Sequence, residues 1–159
     1  MRDKRYIAEH RGGTLNKEQH RLLVIWACDC VENVLSLYGN VIDERLTKAI
    51  KTARKWVKGT ASVGDARNAS INAIALANEL ENKTAIAIAR SVGHAVAAAH
   101  MADHSLRAAE YALKAVKLAG KSMETERKWQ DEHLSTEIID MVLASRNEKK
   151  KHPTVEKPA

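Results

Sequence analysis

The residues with the most chemistry in them sit near the middle of the 159-residue chain: His94, His100 and His104, with Asp103 beside the last. Imidazole is a common ligand for divalent metals, and its charge changes close to neutral pH. His100 and His104 are four apart, so on a continuous helix they share a face and could ligate one ion. His94 would then point about 120° away from His100. A third ligand would have to come from elsewhere, and Asp29 and Glu32, three apart and so also on one helix face, are the available donors. The strong metal signatures are missing, since the chain has neither H-E-x-x-H nor the Glu-x-x-His pairs of di-iron bundles. The favoured reading is therefore that these histidines cap helix ends, satisfy buried polar groups or touch a partner. No metal or other cofactor is expected; a metal-binding protein or metal-dependent hydrolase built on His100 and His104 is the alternative.

Nucleophilic catalysis has less support. There is no Gly-x-Ser-x-Gly elbow, and neither Cys28 nor Cys30 has a histidine near it in sequence. Residues two apart on a helix point about 200° from each other, so the two thiols cannot bridge and read as small buried side chains. Gly12-Gly13 precedes a helix but lacks the rest of a phosphate-binding loop. No catalytic residue is assigned, and the chain is not expected to be an enzyme.

Charge is the second candidate signal. The net charge is +6, with a basic run at the C-terminal end. Residues 1–13 hold four basic and two acidic side chains, and residues 146–159 hold five and two, leaving 17 basic against 16 acidic between them. A nearly neutral body lowers the case for nucleic acid, as does an aromatic content of only 4%. One basic stripe does stand out: Arg45, Lys48, Lys51, Arg54, Lys55 and Lys58 share the outer side of a helix whose inner side is Leu46, Ala49, Ile50, Ala53 and Val57. It reads as a solvated face or a docking surface for an acidic protein. A nucleic-acid accessory role through this stripe is a second alternative.

The elements that must position these residues are helical. Apolar side chains recur at helical spacing from Thr14 to Ala144, with no convincing period-2 strand. An all-α domain over 14–146 follows, flanked by a flexible basic arm at 1–13 and a disordered basic tail at 147–159. The first helix starts at Thr14 or Asn16 and ends before Gly39. Asp43 caps the second, which stops at Gly59, and Ser62 with Asp65 opens the third in capping-box spacing. On that third helix Ala66, Ala69, Ala73, Ile74, Ala77 and Leu80 are expected to point inward. Between Lys83 and Ala119, 13 of 37 residues are alanine, which predicts a closely packed central helix pair broken near Asp103-His104-Ser105. A last helix runs from about Glu124 to Arg146 with Trp129, Leu134, Ile138, Met141 and Val142 on its inner face. The result is a compact bundle of about six helices, with a short α-superhelical stack as the alternative. No apolar run approaches the roughly 18 residues needed to cross a bilayer, and no secretory signal is seen. A cytoplasmic location is expected, and a homo-oligomer is compatible with the sequence.

Several segments resemble a known family: Trp26-Ala27-Cys28-Asp29-Cys30-Val31-Glu32, Asp43-Glu44-Arg45, Ala53-Arg54-Lys55-Trp56, Gly64-Asp65-Ala66-Arg67, and above all the histidine-bearing run from Gly93 to His104 with Tyr111-Ala112-Leu113-Lys114-Ala115 after it. They are similar to a bacterial all-helical family labelled putative immunity proteins, associated with polymorphic toxin systems. The resemblance covers roughly Leu15 to Val116. It implies a non-enzymatic protein-binding module that neutralises a cognate toxin by occupying it. Partner contact is then expected from among Asp29, Glu32, Arg45, Lys48, Lys51, Lys55, Lys58, His94, His100, Asp103 and His104. Inhibitors of basic nuclease toxins are usually acidic, so a neutral body with basic ends favours a toxin with an acidic face.

Overall fold

Seven α-helices follow one another in the computed structural model, which describes residues 2–151. They are α1 (Lys17–Val34), α2 (Glu44–Val57), α3 (Val63–Glu79), α4 (Lys83–Ala97), α5 (His104–Leu118), α6 (Met123–Glu132) and α7 (Thr136–Lys151). Among the described residues there is no strand beyond an isolated parallel bridge between Ala8 and Leu15.

Local chemistry sets most of the boundaries. The Asn16 carboxamide accepts from the Gln19 amide while the Gln19 side chain accepts from the Asn16 amide, and Ser62 and Asp65 make the same reciprocal pair at the start of α3. Asp43 and Asn82 cap α2 and α4 through the amides of Arg45 and Ala85. Gly59 and Gly120, at φ 79° and 76°, take the left-handed conformation that ends α2 and α5.

The last helix departs from expectation. The stretch from Glu124 to Arg146 is not one helix: it breaks between Glu132 and Thr136, making seven helices rather than six. His133 uses its ring N–H to cap the Trp129 carbonyl at 2.7 Å, and Leu134 turns inward to pack with Trp26, Ile138 and Val142. Leu134, Ile138 and Val142 lie inward as their helical spacing predicts, and only the continuity of the helix fails.

Two apolar clusters fill the interior. One joins α1 to α5 through Val24, Val31, Leu46, Ile88, Val92 and Val96; the other joins α1, α5 and α7 to the N-terminal segment through Tyr6, Leu23, Trp26, Ile138 and Val142. α4 packs against α1, α2, α3 and α5. Alanine lines much of this contact, with Ala87, Ala95, Ala108, Ala112 and Ala115 buried, and the Ser91 hydroxyl reaches across from α4 to donate to the Ala108 carbonyl at 2.7 Å. α3 approaches α4 as closely at Gly93, where an added Cβ would lie 2.8 Å from Ile74 Cγ1. Ile74, expected to point inward, lies at the edge of this contact and is 40% exposed; Leu76 takes the buried position instead.

The chain ends also differ from expectation. Residues 2–13, read as a flexible arm, form two 3-10 turns, Lys4–Tyr6 and Glu9–Arg11, and bury Tyr6 to 2% exposure. The Tyr6 hydroxyl is 2.8 Å from Ser145 Oγ, and Arg5 pairs with Glu148 at 3.1 Å. α7 continues past Arg146 to Lys151, so the two ends supply each other's packing surface. The rest of the predicted tail, 152–159, lies outside the described residues.

Candidate partner-binding face

α4 stops at Ala97 because the chain tightens: the Ala99 amide bonds to the Val96 carbonyl and the His100 amide to the Ala97 carbonyl. The Ser105 hydroxyl donates to the Ala102 carbonyl at 2.6 Å as α5 begins. His100 therefore lies in the turn between the helices. The shared face that a continuous helix would give His100 and His104 does not form.

The turn makes a different pairing. His104, the first residue of α5, meets His94 on α4 with the two Nδ1 atoms 2.8 Å apart and ring centroids 5.0 Å apart. His94 also stacks on Tyr111, with centroids 5.3 Å apart. Only one of two facing Nδ1 atoms can carry the hydrogen, so the contact requires that one accept from the other. Burial, His104 and the guanidinium groups of Arg107 and Arg90 push His94 down to about 4. His104 is lowered as well, first by burial. His100 accepts from Arg67 Nη2 through Nε2 at 3.2 Å; slight burial and the nearby arginines, Arg67 first, hold it below its usual range. All three rings are neutral at neutral pH.

The carboxylates named from sequence are engaged elsewhere. Asp29 and Glu32 both accept from Arg54, at 2.8 and 2.9 Å, and Asp103 lies 3.7 Å from Arg2. Among the described residues no three His, Cys, Asp or Glu side chains gather in a way that could hold a metal. Burial pushes the Cys28 thiol up to about 12 and Cys30 well above its ordinary value, which keeps both protonated and unreactive.

The basic stripe on α2 is half neutralised. Arg45 pairs with Asp43 and Glu79, Lys48 with Glu44, and Arg54 with the α1 carboxylates. Lys51, Lys55 and Lys58 have no carboxylate within 4 Å among the described residues and keep an open charge.

A cleft of about 400 Å³ opens beside the histidine-bearing turn, where the N-terminal segment, the start of α1, the α2–α3 turn and the α4–α5 turn meet. Arg2, Arg11, Lys17 and Arg21 line it together with His10, His20 and His100, over an apolar floor that includes Leu15, Trp56 and Ala99. His20 packs on Trp56 with centroids 4.7 Å apart and donates from Nε2 to the Ala98 carbonyl at 2.7 Å; burial lowers it. Apart from His100, and from Trp56 and Ala99 within the segments that carry the family resemblance, none of these residues stood out in sequence, because they come from four separate segments. The available signal was the excess charge of residues 1–13, which reads as part of a solvated arm until Tyr6 is seen to dock it.

No helix among the described residues is long and apolar enough to cross a membrane. A family model described as Imm-5 like putative immunity protein matches residues 13–137. Comparison with curated proteins and with solved structures finds no match.

Proposed function

The chain belongs to the Imm-5 like immunity protein family, and on that premise we propose that it binds a cognate toxin inside the producing cell and neutralises it by occupying its surface, without chemistry of its own. The observation that carries this reading beyond family membership is the charge of the histidine-bearing face. Arg67 stands at the α4–α5 turn beside a cleft edged with arginine and lysine, with the uncharged rings of His100 and His104 next to it, while the carboxylates Asp29 and Glu32 are held by Arg54. Complementary potentials steer two proteins together and discriminate against wrong partners, so the toxin surface that fits is acidic. His94 and Asp103 back the turn, and Lys51, Lys55 and Lys58 extend the positive field along α2.

Co-expression tests this reading. Toxin domains encoded beside this gene are induced in a sensitive host with and without the protein, and a stable complex is sought by affinity capture and gel filtration. Growth restored by the protein, with co-elution of a toxin domain, is expected. Equal sensitivity in both strains would overturn it.

A further inference from the structure

We infer that the cleft between the N-terminal segment and the α4–α5 turn is an anchor site for an acidic peptide segment, one in which a carboxylate side chain sits next to an apolar one; this rests on the reading above that the partner is a protein. Three observations carry it. First, Arg2, Arg11, Lys17 and Arg21 line the cleft and no Asp or Glu does. Second, Arg11, Lys17 and Arg21 have no carboxylate within 4 Å among the described residues, whereas Arg5, Arg45, Arg54 and Arg146 each do. Arg2, the fourth cation of the cleft, is shared with Asp103 at 3.7 Å, so three open cations converge on one cleft. Third, the charges stand over an apolar floor of Leu15, Trp56 and Ala99, and a low-dielectric wall strengthens the field felt by an anion beside it.

The shape selects among anions. The site is a pocket of about 400 Å³ walled by four segments, so it fits a side chain that protrudes from a partner better than a continuous phosphate backbone. Guanidinium groups match a carboxylate with two parallel N–H donors, which adds geometry to charge. The Trp56 ring, held against His20, offers an apolar face to the neighbouring residue of the same segment. His20 adds no competing charge, since its Nε2 hydrogen is spent on the Ala98 carbonyl.

The test uses the full-length protein and follows the indole N–H resonance of Trp56, assigned with Trp56→Phe, while hexaglutamate, hexalysine, inorganic phosphate or a single-stranded oligonucleotide is added at matched ionic strength. Hexaglutamate should shift Trp56 and leave Trp129 in place. Arg11→Glu with Arg21→Glu should weaken that binding at least tenfold, and Lys117→Glu, at the end of α5 away from the α4–α5 turn, should not. Circular dichroism checks that the charge-reversed protein keeps its helices; Arg11→Gln with Arg21→Gln replaces it if it does not. No shift with hexaglutamate, or a phosphate or oligonucleotide affinity equal to it, would overturn the assignment. Co-expression separates this inference from the one it rests on. Wild-type protection that survives the double charge reversal defeats the cleft alone, whereas hexaglutamate binding by a protein that gives no protection defeats the toxin reading and leaves the site.

Discussion

His94 and His104, ten residues apart, place their Nδ1 atoms 2.8 Å from each other and can do so only while at least one ring is neutral. Burial and neighbouring cations hold the folded His94 near 4, below its ordinary 6.5. The unfolded chain therefore binds more protons than the native one between those values. The stabilising contribution is complete above pH 6.5 and is lost as the pH falls toward 4. His20, His100 and His104 are lowered too and act in the same direction. Thermal melts at pH 7.5, 6 and 5 should show a falling Tm, with a smaller fall for His94→Leu. Parallel curves for the two proteins would move the effect to other groups.

Arg146 is expected to be the most costly single charge to remove. Its guanidinium lies over the Trp26 ring at 5.2 Å and donates to Gln130 Oε1 at 2.6 Å and Asp131 Oδ1 at 2.7 Å, with only 9% of the side chain exposed. Gln130 in turn donates to the Ala109 carbonyl, and the Trp26 indole donates to the Gln130 carbonyl, so four helices meet in one polar network. Arg146→Met strands the buried Gln130 oxygen and should cost about 2 to 4 kcal/mol in urea unfolding. A loss below about 1 kcal/mol would mean that water replaces the guanidinium freely.

Arg54→Met tests how the α1 carboxylates are held. The guanidinium is about a third exposed, and it bridges Asp29 and Glu32, which are like charges three apart on one helix. Screening keeps the expected loss small, about 0.5 to 1.5 kcal/mol. Adding Asp29→Asn should recover part of it. The penalty should also shrink in high salt, and a salt-independent loss would assign it to packing of the arginine stem.

Close approach of α4 and α5 is tested by volume. Ala112 is fully buried, as is Ala98 at the end of α4. Ala112→Leu or Ala98→Leu adds methylenes where no space exists and should cost about 1 to 3 kcal/mol. For a domain of this size that lowers Tm by roughly 2 to 12 °C. Unchanged melting would show that the contact relaxes.

What could be read from the chain alone is what neighbours in sequence decide. Helical periodicity, the caps at Asn16, Asp43 and Ser62, the stops at Gly59 and Gly120, and the break before His104 are each local hydrogen-bond or backbone choices, and they appear in the structure where those residues stand. The same local view took His100 and His104 for a pair, carried one helix through Leu134 and pointed Ile74 inward. Two of these are settled by contacts between distant elements: the α4–α5 turn brings His94 to His104, and bare Gly93 lets Ile74 rest at an edge. Charge shows the division most clearly. Counting residues by region assigns most of the excess to the two ends and makes the body neutral, and that count stands. Where the charge acts depends on Tyr6 docking against Ser145, because this brings Arg2 and Arg11 to Lys17 and Arg21 around one apolar floor. Opposite or like charges interact by distance in space, and only the folded chain sets that distance.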